Sequence, residues 1–155
     1  MELRHGRDLT RITRELRRMD DRELLKRFRR ELRGAARPLV PAVRASIRSI
    51  PSGRRYTAAG LRGQLSRATG LEVKTTGRQA AVIIRVDGRK MPTKAKSLQA
   101  YMEGLKRWRH PVYGNRNVYV TQSPHPYFFT VMRTGGTRAR VAVNRVIDQV
   151  SKDIT

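Results

Sequence analysis

The chain has 155 residues, and its 35 lysines and arginines against 12 aspartates and glutamates give a formal net charge of +23. This length fits one domain around one core, and the surplus of positive charge favours anionic partners such as nucleic acid or acidic proteins. The absence of cysteine excludes disulfides, thiolate catalysis and cysteine-based zinc sites. No apolar run approaches the roughly 18 residues of a membrane span, and the N-terminus lacks the apolar stretch of a secretory signal. We therefore expect assembly in a cytoplasm and no membrane partner.

The first part of the chain has the apolar spacing of amphipathic helices. A first stripe consists of Leu9, Ile12, Leu16 and Met19, and a second of Leu24, Leu25, Phe28 and Leu32. Asp20 is the predicted cap of the second helix, together with Glu23, and Gly34 is its predicted end. We interpret residues 1–33 as a basic helical arm and residues 34–155 as the body. The stripe of the arm requires a partner, either the body or a neighbouring subunit. Its arginine-rich face is typical of a solvated surface, or of one that lies on a membrane or a phosphate backbone.

Two more helices are predicted before the first strand. One begins near Pro38, ends at residues 51–53 and places one face inward: Val40, Val43, Ile47 and Ile50. The other is shorter, with Leu61 and Leu65 inward, and ends at Gly70.

From residue 71 the apolar pattern changes to that of strands. "LEVKTT" and "QAAVIIRV" predict a β-hairpin whose second strand is central. "SLQAYMEGL" predicts a short helix, and "NVYVTQ" a further strand. The C-terminal helix carries an apolar face, and the pair Gly135–Gly136 predicts a kink or a break in its first part. This order predicts an α+β fold, a small and mostly antiparallel sheet with packed helices and a long C-terminal helix.

Catalytic or metal-binding groups are scarce. The three histidines are His5, His110 and His125, and no acidic residue lies between Glu103 and Asp148. The second and third histidines each directly precede a proline, which is typical of turns rather than of a metal site. No phosphate-binding loop and no nucleophile elbow is present. We therefore predict no enzymatic activity, no cofactor, no metal and no small-molecule substrate.

The segment 106–129 contains the single tryptophan, five other aromatic residues and three prolines. Prolines reduce the entropy lost when a loop is ordered, and tryptophan and tyrosine offer a large contact area with few torsions to fix. We predict a subunit or partner interface here, with Phe129 and Val118 inward and with Trp108 and Tyr113 nearer the surface. The candidate interface residues are Trp108, Arg109, His110, Tyr113, Asn115, Pro124, His125 and Pro126.

Nucleic-acid binding is the main alternative from another functional class. The charge supports it, and "KRWRH" at 106–110 places an aromatic ring among cations, as in proteins that stack on bases and hold phosphates. No helix-turn-helix, zinc-finger or RNA-recognition motif is present, so the contact would be independent of sequence. The candidate contacts to DNA or to an acidic partner are Arg17, Arg18, Arg29, Arg30, Arg54, Arg55, Lys90, Lys94 and Lys96.

Several of these stretches resemble a known family. "RWRHPVYGN" at 107–115, "VYVTQSPHPYF" at 118–128 and "ARVAVNRVIDQV" in the last helix are similar to the tail-completion or neck proteins, minor tail components of long-tailed bacteriophages. "ELRGAARPLVPAVRASIRSIPSG" at 31–53 resembles the helix that precedes the sheet in that family. The resemblance covers roughly residues 31–155, and residues 1–30 and the glycine pair depart from it.

The resemblance implies a non-enzymatic virion part. It suggests an α+β subunit in a homo-oligomeric, sixfold ring at the head–tail junction or the top of the tail. Connector, tail-terminator or tail-tube proteins would be its neighbours, and passing genomic DNA a possible contact. In that setting the loop at 108–115 and the turn at 124–126 would contact neighbouring chains, and most arginines would pair with protein.

Overall fold

The computed structural model describes residues 2–3, 7–52, 57–76, 79–104, 106–112 and 115–154. These residues form six α-helices and two antiparallel sheets. In chain order the elements are β1 (Glu2–Leu3), α1 (Arg7–Arg18), α2 (Arg22–Ala36), α3 (Leu39–Arg48), α4 (Leu61–Ala68), β2 (Thr69–Lys74), β3 (Ala81–Val86), α5 (Leu98–Glu103), β4 (Trp108–Val112), β5 (Asn115–Gln122) and α6 (Phe128–Asp153). The predicted α+β class, with its antiparallel strands and long C-terminal helix, is confirmed.

The long helix α6 is the element on which α1, α2 and α3 pack. Its inward stripe repeats at intervals of three and four residues and consists of Phe128, Met132, Gly136, Ala139, Val143, Ile147 and Val150. The break predicted as one outcome at Gly135–Gly136 does not occur, because α6 continues through both glycines. A Cβ atom on Gly135 would lie 2.6 Å from Leu39 Cδ2. The glycine therefore allows α3 to approach α6 closely and serves packing rather than a break.

The apolar stripes of α1 and α2 belong to the same hydrophobic cluster as the rest of the chain. Leu9, Ile12 and Leu16 are completely buried. The partner of these stripes, left open by the sequence, is thus the body of the same chain. The proposed boundary at residue 33 falls inside α2, and Met19, at the end of the first predicted stripe, is exposed.

The turn between α1 and α2 differs from the predicted one by a residue. Asp21 rather than Asp20 caps α2, because its Oδ1 accepts a hydrogen bond of 2.8 Å from the backbone N–H of Leu24. Asp20 has a φ of 52°, in the left-handed region that aspartate tolerates at a turn. Gly34 does not end α2, which continues to Ala36.

The packing of α3 and α4 also refines the predicted faces. In α3, Leu39 is buried and Val40 only half-buried, so the stripe begins one residue earlier. In α4, Leu65 is buried but Leu61 is exposed, and the helix ends before Gly70, which lies in β2.

The three-stranded sheet has the order β1–β3–β2, with both pairs antiparallel. The central position predicted for β3 is confirmed. The register of the hairpin places Thr69 opposite Val86 and Lys74 opposite Ala81. Arg44 of α3 joins this helix to the end of α4 and the start of β2: its Nε and Nη2 donate to the carbonyl oxygens of Ser66 and Thr69 at 3.1 and 3.0 Å.

Replacement of helical glycines by alanine tests this packing. We expect Gly34→Ala to stabilise the protein by about 0.5–1 kcal/mol, since its Cβ would meet no atom within 4 Å and alanine is the better helix former. Gly135→Ala should give a smaller gain or a loss, because Leu39 would have to move. Urea denaturation of both variants measures the difference. A gain at Gly135 as large as that at Gly34 would mean that the contact with Leu39 does not constrain position 135.

Candidate functional site

The segment between α5 and α6, residues 104–126, contains the predicted interface residues and is here called the excursion. Within it, β4 and β5 form a two-stranded antiparallel sheet of their own, here called the β4–β5 hairpin. The register places Trp108 opposite Gln122, and an irregularity lies between Pro111 and Val112. The sequence predicted β5 but not β4, whose proline is unusual in a strand. The signal that indicates β4 is the Gly114–Asn115 turn with β-prone residues on both sides.

The β4–β5 hairpin is poorly covered by the rest of the chain. Every residue of β5 is exposed, and its central Val118, Tyr119 and Val120 keep 49%, 47% and 42% of their surface. The predicted inward position of Val118 is therefore wrong, since β5 does not reach the core.

The predicted inward position of Phe129 is also wrong, since this residue is 53% exposed. Tyr127 and Phe128 fill the core instead. Successive residues of a helix point about 100° apart. Because Phe128 in the first turn of α6 points into the core, Phe129 points towards the surface.

The base of the excursion is closed by the carboxylate of Glu103, the last residue of α5. Its Oε1 accepts hydrogen bonds from the backbone N–H groups of Tyr127 and Phe128 at 2.8 and 2.7 Å, and its Oε2 accepts one from Phe129 at 3.3 Å. The first N–H groups of a helix have no partner within the helix, and its N-terminus attracts negative charge. Glu103 thus caps α6 across 24 residues of sequence and brings the two ends of the excursion together.

Tyr127 lies beneath this cap with 1% of its surface exposed. Burial, and then the neighbouring Glu103 carboxylate, raise the pKa of its phenol above the ordinary value. Tyr127 therefore remains neutral and packs as a core aromatic.

Aromatic contacts hold β4 against the body and against its partner strand. The Trp108 ring stacks on Tyr101 of α5 at 5.5 Å between centroids and 25° between planes. Trp108 is half-buried and packs against the core. The Arg109 guanidinium lies 5.1 Å from the centre of the Tyr119 ring, a cation–π distance. Trp108 therefore anchors the hairpin, whereas Arg109 remains exposed.

The other predicted interface residues lie in the two strands and in the segment after β5. His110 is half-buried, with Nδ1 3.1 Å from the carbonyl oxygen of Pro111. The Asn115 side-chain oxygen accepts from the Asn117 N–H at 2.9 Å. After β5 the chain passes through Pro124 and His125, both half-buried, and through Pro126, which is exposed. Tyr113 lies outside the described residues.

The predicted cationic contacts are spread over separate elements. Arg17 and Arg18 are exposed at the end of α1, and Arg30 is exposed on α2. Arg29 donates a hydrogen bond to the Thr75 hydroxyl. Lys90 and Lys96 are exposed in the connection between β3 and α5. Arg54, Arg55 and the side chain of Lys94 lie outside the described residues.

A more compact set of cations lies on the excursion itself and was only partly identified from the sequence. Residues 104–126 contain four basic and no acidic residues: Lys106, Arg107, Arg109 and Arg116. All four are exposed. The absence of acids continues to residue 147, and the nearest preceding carboxylate, Glu103, is occupied by the N-terminus of α6. The gap between Glu103 and Asp148 is the sequence signal that identifies this cationic surface.

Other kinds of site find little support in the part of the chain that the structure describes. There, no group of three or more histidine and carboxylate side chains is arranged to hold a metal ion. None of the helices described is both long and apolar enough to cross a membrane. Comparison with known proteins finds no match to a family model, a curated protein or a solved structure.

Substitution of Glu103 tests the closure of the excursion. We expect Glu103→Ala to destabilise the protein by about 2 kcal/mol, because three backbone N–H groups lose their acceptor. Glu103→Gln keeps an acceptor oxygen but loses the charge, so it should cost about half as much. Urea denaturation measures both. The exposed carboxylate variant Glu23→Ala is the control, and an equal effect there would contradict a special role of Glu103.

Substitution on β4 separates the anchor from the exposed cation. Trp108→Ala should destabilise the protein by about 1–2 kcal/mol through loss of packing and stacking. Arg109→Ala should change stability by less than about 0.5 kcal/mol. A double-mutant cycle with Tyr101→Ala should give a coupling of about 0.5–1.5 kcal/mol to Trp108. A coupling energy of zero between Trp108 and Tyr101 would mean that the tryptophan does not pack on α5.

Proposed function

We propose that this chain is a structural subunit that acts by assembly and that the β4–β5 hairpin is its main contact element. The observation that carries the proposal is the exposure of all of β5, including three adjacent large side chains. A two-stranded hairpin is marginally stable alone in water. Burial of exposed valine and tyrosine side chains by another chain is favourable.

We propose further that the assembly is the neck or tail top of a long-tailed bacteriophage. This step rests on the sequence resemblance over residues 31–155. The subunit would form a homo-oligomeric ring, sixfold by the resemblance, in contact with connector, tail-terminator or tail-tube proteins. It would act without catalysis and join the virion during assembly in the host cytoplasm. The core of α1, α2, α3 and α6 would form the body of each subunit, with the β4–β5 hairpin directed to a neighbouring connector or tail protein rather than to another copy.

Native mass spectrometry of the purified chain tests the oligomeric part of this proposal. We expect one discrete closed oligomer, six copies by the resemblance, formed alone or on addition of the products of adjacent genes. A chain that remains monomeric with those products, or that forms a continuous series of sizes, would contradict the ring.

Sequence-independent binding of nucleic acid is the second candidate. It is favoured by the four exposed cations and the absence of acids over residues 104–126. Four phosphate contacts would give log K a slope of about −3.6 against log salt. Tight binding of random duplex DNA with such a slope, and no discrete oligomer, would support this candidate against the ring.

A further inference from the structure

We infer that the outer edge of β5 accepts an extended acidic segment of a different protein, which adds to the β4–β5 hairpin as a third strand. The inference rests on the proposed role of the hairpin in assembly and names the chemistry of its partner. It is carried by three properties of the hairpin: an open edge, a charge of one sign and exposed apolar side chains.

The open edge belongs to β5. In the described part of the chain, the sheet of β4 and β5 has two strands only, so the side of β5 away from β4 has no strand partner. β5 spans eight residues, Asn115–Gln122, without a proline. The outer edge of β4 is less suitable, because Pro111 lacks an N–H and the pairing is irregular beside it. An added strand therefore finds the longer and more regular backbone edge on β5.

The charge of the hairpin selects an anionic partner. Lys106 and Arg107 are exposed directly before β4, and Arg116 is exposed within β5. Residues 104–147 contain no carboxylate that could pair with them. A second copy of the same hairpin would bring like charges together, which is unfavourable across an interface and directly opposite in a sheet. The occupant is thus a different, acidic chain, and ring contacts between copies use other surfaces.

The apolar side chains favour a polypeptide over nucleic acid. Val118 and Val120 point to one face of β5 and Tyr119 to the other, since side chains alternate along a strand. A strand on the outer edge would place its own side chains beside them on both faces. A phosphate backbone would use the cations but leave the valines exposed. The Glu103 cap, the Tyr101–Trp108 stack and the prolines after β5 reduce the entropy lost when such a partner binds.

A synthetic peptide of about seven residues, in which glutamate alternates with valine, is a direct probe. Fluorescence anisotropy measures its binding to the full chain, and amide hydrogen exchange shows whether residues 115–122 become protected. Two control peptides separate the contribution of charge from that of backbone hydrogen bonds. Lysine in place of glutamate reverses the charge of the peptide. N-methylation at alternate residues blocks one hydrogen-bonding edge without a change of charge. We expect both controls to bind at least about tenfold more weakly than the parent peptide.

A matched pair of double variants locates the binding surface. Arg107→Glu with Arg116→Glu changes two exposed cations of the hairpin, and Arg138→Glu with Arg145→Glu makes the same change of charge on the exposed side of α6. We expect the hairpin variant to weaken peptide binding by about tenfold and the α6 variant by less than about threefold. Circular dichroism checks that both variants remain folded.

Several outcomes would overturn the inference. Equal binding of the N-methylated peptide would mean charge attraction without strand addition, and equal loss in both double variants would mean diffuse attraction. Tighter binding of a mixed-sequence duplex of about 20 base pairs, lost in the hairpin variant, would assign the surface to nucleic acid. If the hairpin variant no longer forms the oligomer, the surface would be assigned to a second copy of this chain. If the peptide binds as expected but no ring forms, the proposed function fails and the inference stands. If a ring forms but the peptide does not bind, the inference fails and the proposed function stands.

Discussion

The carboxylate of Glu103 at the N-terminus of α6 is the interaction on which the placement of the hairpin depends. It satisfies backbone N–H groups that begin the longest helix of the molecule, and it does so from the end of α5. The two ends of residues 104–126 are thereby held together at the edge of the core. The hairpin between them consequently projects from a fixed base, with Trp108 stacked on α5 as a second point of attachment. A surface held in this way is suitable for assembly because little of its order has to be created on binding.

The distribution of charge and apolar surface divides the molecule into two functional parts. Helices α1, α2, α3 and α6 bury their stripes in one cluster, which gives the body a hydrophobic core of its own. The hairpin has the opposite character, with exposed valines and tyrosine on β5 and cations that have no carboxylate nearby in sequence. Exposed apolar side chains and unpaired charges of one sign are both unfavourable for an isolated chain. An acidic strand from another protein would remove both costs at once.

The elements that could be predicted from the sequence are those with a local periodic signal. The stripes of α1, α2 and α6 have a period near 3.6, β2 alternates in sequence and β3 is a continuous apolar run. The structure forms helices and strands at these places. The incorrect predictions lie at positions where contacts between residues distant in sequence determine the structure. Helix α6 is unbroken at Gly135, where the glycine leaves room for Leu39 of α3. The inward position expected for Phe129 is wrong because Phe128, one residue earlier, occupies the core position. β4 was missed because Pro111 weakens its strand pattern. The sequence assigns the candidate interface to one segment, and this assignment stays a prediction. Which arginines of that segment are exposed depends on the fold.

Amide hydrogen exchange of the isolated chain at residues 115–129 tests the central claim most directly. The account predicts that the N–H groups of Tyr127 and Phe128 are protected although they begin a helix, because the Glu103 carboxylate accepts them, and that outward N–H groups of β5 exchange rapidly. Rapid exchange at Tyr127 and Phe128, at the rate of an unstructured peptide, would contradict the closed base and with it the fixed position of the hairpin. Slow exchange along the whole of β5 would contradict its open edge.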